Sequence, residues 1–320
     1  MITAVLIPCH NEETTIAKVV GDFRRLLPEA VVYVYDNNST DGSALLAQDA
    51  GAIVVREYRQ GKGFVVRSMF RDIDADVYLM VDGDDTYRPE DVVLLAKPVA
   101  EGRADMVIGD RLSSTYFQEN TRALHGAGNR LVRWLINTIF EAQVADIMTG
   151  ARAFSRMFVQ TFPVMSEGFE IETEMTVHAL DKDFLLLELP VEYRDRGDGS
   201  FSKLRTIPDG FRVLKTILAL FKDFRPLLFS GIVAAVLLTG AALLFIAPLA
   251  EYIETGFVKK VPSLIVAMAM GISSLLALST GAVLDSVRKQ SRTMHELELH
   301  RWTQDQRSCR PAAEKPEDQA

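Results

Sequence analysis

Val77-Tyr78-Leu79-Met80-Val81-Asp82-Gly83-Asp84-Asp85 is the stretch that decides the fold. Five apolar residues in a row, with valine at both ends, read as a strand covered on both faces, the habit of strands in a parallel sheet. The run breaks directly into three carboxylates. In open α/β sheets ligands bind outside the carboxyl ends of the strands. An acidic cluster at this position is therefore a candidate site.

Working outward, the same grammar repeats. Residues 3–7 form a short strand ending at Pro8, followed by Ile16, Val19, Val20 and Phe23 at helical spacing. Residues 31–35 form a second strand that ends in Asp36-Asn37-Asn38-Ser39-Thr40-Asp41-Gly42, a dense turn signal. Residues 52–55 read as a third strand, 63–73 as a helix, and 106–108 as a fifth strand after the one at 77–81. Pro89 opens a further helix as a first-turn proline. Strand and helix alternate throughout, so a mostly parallel, doubly wound sheet is expected. The polar clusters at 8–12, 36–42 and 82–85 would all fall at the carboxyl ends of its strands.

Beyond residue 115 the pattern changes. Residues 124–140 read as a helix, 168–180 as another carrying Glu170, Glu172 and Glu174, and 184–193 as a long strand. Ile207, Phe211, Leu214, Leu218 and Phe221 share one helical face, with Arg212, Lys215 and Lys222 on the other. Such a basic amphipathic helix suits a membrane interface or the flank of a globular domain. Two charge-free apolar runs follow, 226–250 and 261–284, each above the roughly 20 residues that a helix needs to cross a bilayer. The expected organisation is a catalytic α/β domain at 1–205, an interface helix at 206–225, a transmembrane hairpin at 226–284 and a fraying tail at 285–320.

The net charge of −8 is unevenly spread. Residues 1–198 carry −12, whereas residues 199–225 carry +4 just before the first apolar run. Lys215, Lys222 and Arg225 precede the pair of runs, and Arg288, Lys289 and Arg292 follow it. By the positive-inside rule both termini are expected in the cytoplasm, with the protein multi-pass in the cell's inner (plasma) membrane. Residues 1–7 lack the basic flank and cleavage site of a secretory signal. Cys9 and Cys309 lie at opposite ends of the chain, so a structural disulfide is not expected. The acidic domain has no basic stripe, which argues against nucleic-acid binding.

Asp82 and Asp84 flank Gly83, so two hard oxygen donors at i and i+2 can turn toward one Mg²⁺ or Mn²⁺. Such ions keep water and bind substrate phosphates. A solvated acidic turn is the plain alternative, and the position after a buried strand favours the metal.

The ordered set Pro8-Cys9-His10-Asn11-Glu12, 36–42, and Asp82 to Asp85 with Pro89 resembles the family 2 glycosyltransferases of the GT-A fold, whose catalytic domain is Rossmann-like with a mostly parallel sheet. Gly109-Asp110-Arg111, then 146–152, then Arg196 with Ser202-Lys203-Leu204 narrow the resemblance to polyprenyl-phosphate glycosyltransferases, which include dolichyl-phosphate mannose and glucose synthases. The resemblance spans roughly residues 1–225, and the hairpin is similar to that of members with two membrane helices.

By that resemblance Pro8, Asn11, Glu12, Asp36 and Lys62 would bind the nucleotide, and Asp82 and Asp84 would hold the metal on the donor pyrophosphate. Arg111, Arg122, Arg196 and Lys203 would grip the lipid phosphate; bidentate, permanently charged arginine suits that task. Asp146, Arg152, Glu172 and Glu174 would contact sugar hydroxyls or orient the arginines. Asp82, Asp84 and Arg111 would be the catalytic set. Gly83 stands where mannose-type members carry alanine, and Gly126 where a phosphate-site serine is expected. The Asp-Gly-Asp-Asp-Thr-Tyr form leans toward UDP-glucose or UDP-N-acetylglucosamine, with GDP-mannose the alternative. A processive polysaccharide synthase is a weaker reading, because no Gln-x-x-Arg-Trp motif precedes Arg133-Trp134. A non-catalytic scaffold would not need Asp82, Asp84, Arg111 and Lys203 together. A homo-oligomer through the two helices stays open.

Overall fold

The computed structural model describes residues 1–113, 123–168, 170–194, 219 and 221–309. Seven strands form one sheet: β1 (Thr3–Cys9), β2 (Val31–Asp36), β3 (Ile53–Arg56), β4 (Val77–Met80), β5 (Met106–Asp110), β6 (Arg152–Ser155) and β7 (Leu186–Pro190). Their spatial order is β3-β2-β1-β4-β6-β5-β7. Every pairing is parallel except those of β6, which runs antiparallel between β4 and β5. The mostly parallel α/β sheet is as expected. β6 was not foreseen, because Arg152-Ala153-Phe154-Ser155 has neither the length nor the apolar run of its neighbours.

The helices of this part are α1 (Ile16–Leu26), α2 (Ser43–Asp49), α3 (Lys62–Asp72), α4 (Pro89–Leu94), α5 (Ala96–Ala100), α6 (Ala123–Phe140), α7 (Arg156–Thr161) and α8 (Ile171–Asp181). On α1 the spacing does what it promises: Ile16, Val19, Val20 and Phe23 are all buried against the sheet. Each such side chain contributes about 1.5–3 kcal/mol. Helix 168–180 is shorter than read, starting at Ile171 with Glu170 at its cap position. The long strand expected at 184–193 is β7 alone, and Tyr193 returns only as an isolated antiparallel bridge to Tyr87. β7 is an edge strand, so Pro190 is tolerated at its end, and the Val191 N–H still donates to the Asp110 carbonyl at 3.0 Å.

Two long helices follow, α9 (Pro226–Thr255) and α10 (Val261–Cys309). Both are long and apolar enough to cross a membrane, and only 17% and 11% of their most apolar windows is buried. Their buried positions recur at seven-residue spacing, Ala234, Ala241 and Pro248 on α9 and Ala267, Ser274 and Gly281 on α10. A period of seven averages 3.5 residues per turn, the repeat of a left-handed coil. Ser274 Oγ donates to the Ala234 carbonyl at 2.8 Å, and Ser263 Oγ to that of Leu244 at 3.2 Å. Between the helices, Glu251 accepts the backbone N–H groups of Lys259 and Lys260 at 3.1 Å each.

The tail corrects the expectation of fraying from residue 285. α10 continues unbroken to Cys309. No proline interrupts it after Pro262, and Asp285 pairs with Lys289 one turn on at 2.8 Å. Of the expected interface helix, residues 221–224 are helical and most of the remainder lies outside the described residues.

Candidate active site

β1 and β4 are neighbours, yet the chain builds β2 and β3 between them. The winding reverses at this point, which opens a crevice beyond the strand ends. The β1–β2 register sets Cys9 opposite Asp36, and the β1–β4 register sets Leu6 opposite Met80. The loops after β1, β2 and β4 therefore meet.

Their meeting is held by side chains. Asn11, in the left-handed region at φ 53°, accepts the Thr40 N–H on Oδ1 at 2.8 Å and donates its own N–H to Ser39 Oγ at 2.9 Å. Glu12 N–H donates to Ser43 Oγ at 2.8 Å. Asp36 is 3% exposed and accepts the Ser39 N–H at 3.2 Å. Buried Asn37 donates to the Arg59 carbonyl at 2.7 Å and accepts the Gly61 N–H at 2.7 Å, which ties in the start of α3. Half-buried Pro8 faces Gly83, and Thr15 Oγ1 donates to the Gly83 carbonyl at 2.7 Å. Cys9, a free cysteine, is buried, and burial pushes its thiol up to about 12, so it takes no part as a nucleophile.

At the end of β4, Lys62 joins two carboxylates. Its ammonium lies 2.5 Å from Asp82 Oδ1 and 2.6 Å from Glu172 Oε1, with the lysine side chain 8% exposed. Burial opposes the charge, but Asp82 and Glu172 outweigh it and hold the ammonium well above the ordinary lysine range. Lys62 can sit there because its helix start packs tightly: Gly61, at φ 140°, and Gly63 lie against the carbonyls of Glu167 and Ser166, where any Cβ would come within 2.2 Å. Gly150 presses on the other side of Asp82; a Cβ there would stand 2.1 Å from Oδ2. Asp84 is 4% exposed and accepts Thr86 Oγ1 at 2.7 Å.

A second charged group is tied to the loop that precedes Gly150. Arg111, at the end of β5, donates through Nε to Asp146 Oδ2 at 2.8 Å and through a terminal nitrogen to the Met148 carbonyl at 2.7 Å. Its guanidinium rests 5.6 Å from the Tyr193 ring centroid. The loop carrying Asp146 is fixed from several sides. Tyr87 OH accepts the Gly150 N–H at 2.9 Å. Asn137 brackets Val144 with two bonds of 3.0 Å. Glu188 accepts the N–H groups of Ala145 and Asp146, and burial pushes its carboxyl up.

The structure thus brings together Asp82, Lys62 and Glu172 on one side and Arg111 with Asp146 on the other, with Pro8, Asn11, Glu12 and Asp36 around the loops of β1 and β2. It separates two others. Arg152 is wholly buried, donating to the carbonyls of Thr149 and Ile147 and to Thr176 Oγ1; burial pulls it down to about 10. It supports the 146–151 loop from beneath. Glu174 accepts the N–H groups of Met165 and Ser166 and shapes the loop before α8. Arg122, Arg196 and Lys203 lie outside the described residues. Tyr87 entered the sequence reading only as the last residue of the Asp-Gly-Asp-Asp-Thr-Tyr stretch, with no role of its own, and Glu188 was not singled out. A lone Glu between leucines in Leu186-Leu187-Glu188-Leu189-Pro190 is the signal that could have found it.

A family model for glycosyl transferase family 2 matches residues 4–161. The chain is 36% identical to glycosyltransferase AglJ of Haloferax volcanii over 92% of its own length and 97% of that protein. The chain belongs to glycosyl transferase family 2. It is a glycosyltransferase of GT-A-like architecture. A dolichyl-phosphate hexose transferase of Haloferax volcanii is 28% identical over 67% of this chain and 91% of that protein. Among solved structures, glucosyl-3-phosphoglycerate synthase of Mycobacterium tuberculosis, in complex with Mn²⁺, UDP and phosphoglyceric acid, superposes with a TM-score of 0.55. That match has 20% identity and covers 69% of this chain and 78% of that one; it speaks for the fold.

Proposed function

We propose that this glycosyltransferase moves a hexose or N-acetylhexosamine, with inversion, from a nucleotide sugar to a polyprenyl monophosphate at the cytoplasmic face of a membrane. UDP-glucose or UDP-N-acetylglucosamine is the favoured donor. The observation that carries the reading is the pair of charged groups tied to the 146–150 loop: Asp82, packed against Gly150 and paired with Lys62, and Arg111, paired with Asp146. The dolichyl-phosphate hexose transferase among its relatives and the two apolar helices support a lipid acceptor.

On the donor side two carboxylates, Asp82 and Glu172, flank the ammonium of Lys62, and Asp84 follows two residues after Asp82. Unaided, this arrangement would repel a diphosphate. Asp82 and Asp84 offer hard oxygens fit for Mg²⁺ or Mn²⁺. Among the described residues no third His, Cys, Asp or Glu completes a ligand cage. That suits an ion that draws its remaining ligands from water and substrate phosphates. When bound, it would neutralise the leaving nucleoside diphosphate. Lys62 adds a fixed positive charge beside the same phosphates, and the 8–12 and 36–42 loops would hold base and ribose.

On the acceptor side Arg111 is held rigid by Asp146 and Met148, so its guanidinium would meet a phosphate without losing much side-chain freedom. A phosphomonoester with a second pKa of about 6 is anionic near neutral pH. The phosphate oxygen is then a competent nucleophile without a strong general base. Positioning of the two substrates supplies the catalysis.

The test combines a donor panel with one isosteric variant. Purified protein is supplied with Mg²⁺ or Mn²⁺, undecaprenyl phosphate and each of UDP-glucose, UDP-N-acetylglucosamine and GDP-mannose, and nucleoside diphosphate release is measured. A UDP-sugar should be turned over only when lipid is present. Asp84→Asn should lower the rate roughly 100-fold or more while retaining the Thr86 contact and the fold. GDP-mannose as sole donor would reassign the sugar, and full activity of Asp84→Asn would remove the metal role.

A further inference from the structure

We infer that Glu188 is a positioning residue for the acceptor phosphate, acting through Asp146 on Arg111; the inference rests on the reading of Arg111 as the acceptor contact. Glu188 stands on β7, paired with Ile108 of β5 three residues before Arg111. Its neighbour Leu189 packs against the core, so Glu188 points to the opposite face of the sheet, toward the 144–148 loop. There its two oxygens accept the Ala145 N–H at 2.9 and 3.0 Å, and Oε1 also accepts the Asp146 N–H at 3.2 Å.

Those bonds fix the peptide from which the Asp146 side chain leaves. Asp146 is fully buried; one oxygen receives Arg111 Nε at 2.8 Å, and the other receives the Met148 N–H at 3.3 Å. The Met148 carbonyl in turn accepts a second Arg111 nitrogen at 2.7 Å. Both of these Arg111 contacts therefore depend on one short loop. From the other side that loop is held by Asn137 through Val144 and by Arg133 through the Ala145 carbonyl at 3.3 Å. These helix contacts end at Ala145. Glu188 alone among these groups grips the N–H of Asp146 itself.

Placing a second carboxylate beside Asp146 is electrostatically unfavourable, and a neutral acceptor would hold the same N–H groups without that repulsion. Retaining the loop's N–H groups is what the position requires: stripped of an acceptor, two half-buried donors would be left unpaired and the loop would relax. Arg111 would then lose its fixed direction. A displacement of about 1 Å in such a group is enough for roughly 100-fold loss in productive geometry.

The experiment measures dissociation constants of the full-length protein in detergent for undecaprenyl phosphate and, separately, for UDP with Mn²⁺. Four proteins are compared with wild type: Glu188→Ala, Glu188→Gln, Arg111→Ala and the Glu188→Ala/Arg111→Ala double variant. Glu188→Ala should weaken lipid-phosphate binding 10-fold or more and leave UDP binding within twofold. Glu188→Gln, which keeps an acceptor oxygen, should restore most of the loss and covers the case in which Glu188→Ala fails to fold. The double variant should bind lipid phosphate no worse than Arg111→Ala, because the two residues act in series. Wild-type lipid binding in Glu188→Ala, additive losses in the double variant, or an equal loss of UDP and lipid binding would overturn the inference. If Arg111→Ala binds undecaprenyl phosphate as wild type does, the acceptor reading itself fails, and this inference falls with it.

Discussion

At the residue scale the site depends on where a side chain is absent. Gly150 is buried with its α-carbon turned to the Asp82 carboxylate, and a methyl group there would lie 2.1 Å from Oδ2 and 2.6 Å from Cγ. The obstacle is the end of a side chain rather than backbone, so the carboxylate can swing away and the fold can survive. Swinging away separates Asp82 from Lys62, now 2.5 Å distant, and would turn the oxygen from the position proposed for the donor phosphates. Gly150→Ala should therefore keep its melting temperature within a few degrees while transfer falls roughly 100-fold. Thermal unfolding and steady-state rates check this together; a variant with wild-type turnover would show that Asp82 has no fixed place in the reaction. Asp82 and Asp84 stand out in the sequence because acidic residues directly follow a buried strand, whereas Arg111 entered through the resemblance. That resemblance included Gly150 in a motif without its reason, which is a distance across the fold. It grouped Arg152 and Glu174 with the site, whereas Glu174 holds the N–H groups of Met165 and Ser166, and Arg152 holds the carbonyls of Thr149 and Ile147 and the Thr176 hydroxyl.

At the element scale the hairpin is set by close approach of two helices. Gly281 faces Ser230, where an added Cβ would stand 2.5 Å from the serine Cβ and 3.2 Å from the Pro226 carbonyl. Gly271, on the same helix, has nothing within 4 Å of that position. Packing with small residues substitutes for the hydrophobic effect when the surroundings are themselves apolar. Gly281→Leu should thus force α9 and α10 apart at a cost of about 1–3 kcal/mol, and Gly271→Leu should be tolerated. Thermal melting of the two variants in detergent distinguishes them, and equal melting would show that the seam is not a determinant of stability. Length and apolarity made both helices readable, and alternation made β1 to β5 readable. Three things were not. β6 is four residues long and contains a buried arginine, so no periodicity could mark it. The end of β7 follows from pairing rather than from composition. The continuation of α10 beyond residue 284 was hidden because its charged residues look like a solvated tail until their i,i+4 spacing is laid on a helix.

At the scale of the whole molecule, an acidic catalytic part of net charge −12 is joined through a basic segment of +4 to two apolar helices. A nucleotide sugar reaches such an enzyme from water, while a polyprenyl phosphate is confined to the bilayer surface. On the proposed reading, tethering the catalytic part to the same surface would raise the effective concentration of the lipid to about the millimolar range without any new contact. Basic residues near such a surface would add attraction to anionic lipid of about 1 kcal/mol each. A chain ending at Gly210 keeps the first compact unit except for its Glu298–Ala320 segment and removes both helices with most of the basic segment. It should bind UDP with Mn²⁺ as the full chain does, because the 8–12, 36–42 and 82–85 loops belong to that unit. Its transfer to undecaprenyl phosphate in vesicles should fall 10-fold or more. A short, water-soluble prenyl phosphate should be used equally well by both chains, since that acceptor needs no surface to find the site. Equal turnover of undecaprenyl phosphate in vesicles by the two chains would show that the hairpin does not concentrate the acceptor. Loss of short-chain transfer along with long-chain transfer would instead mean that residues beyond 210 shape the acceptor site itself.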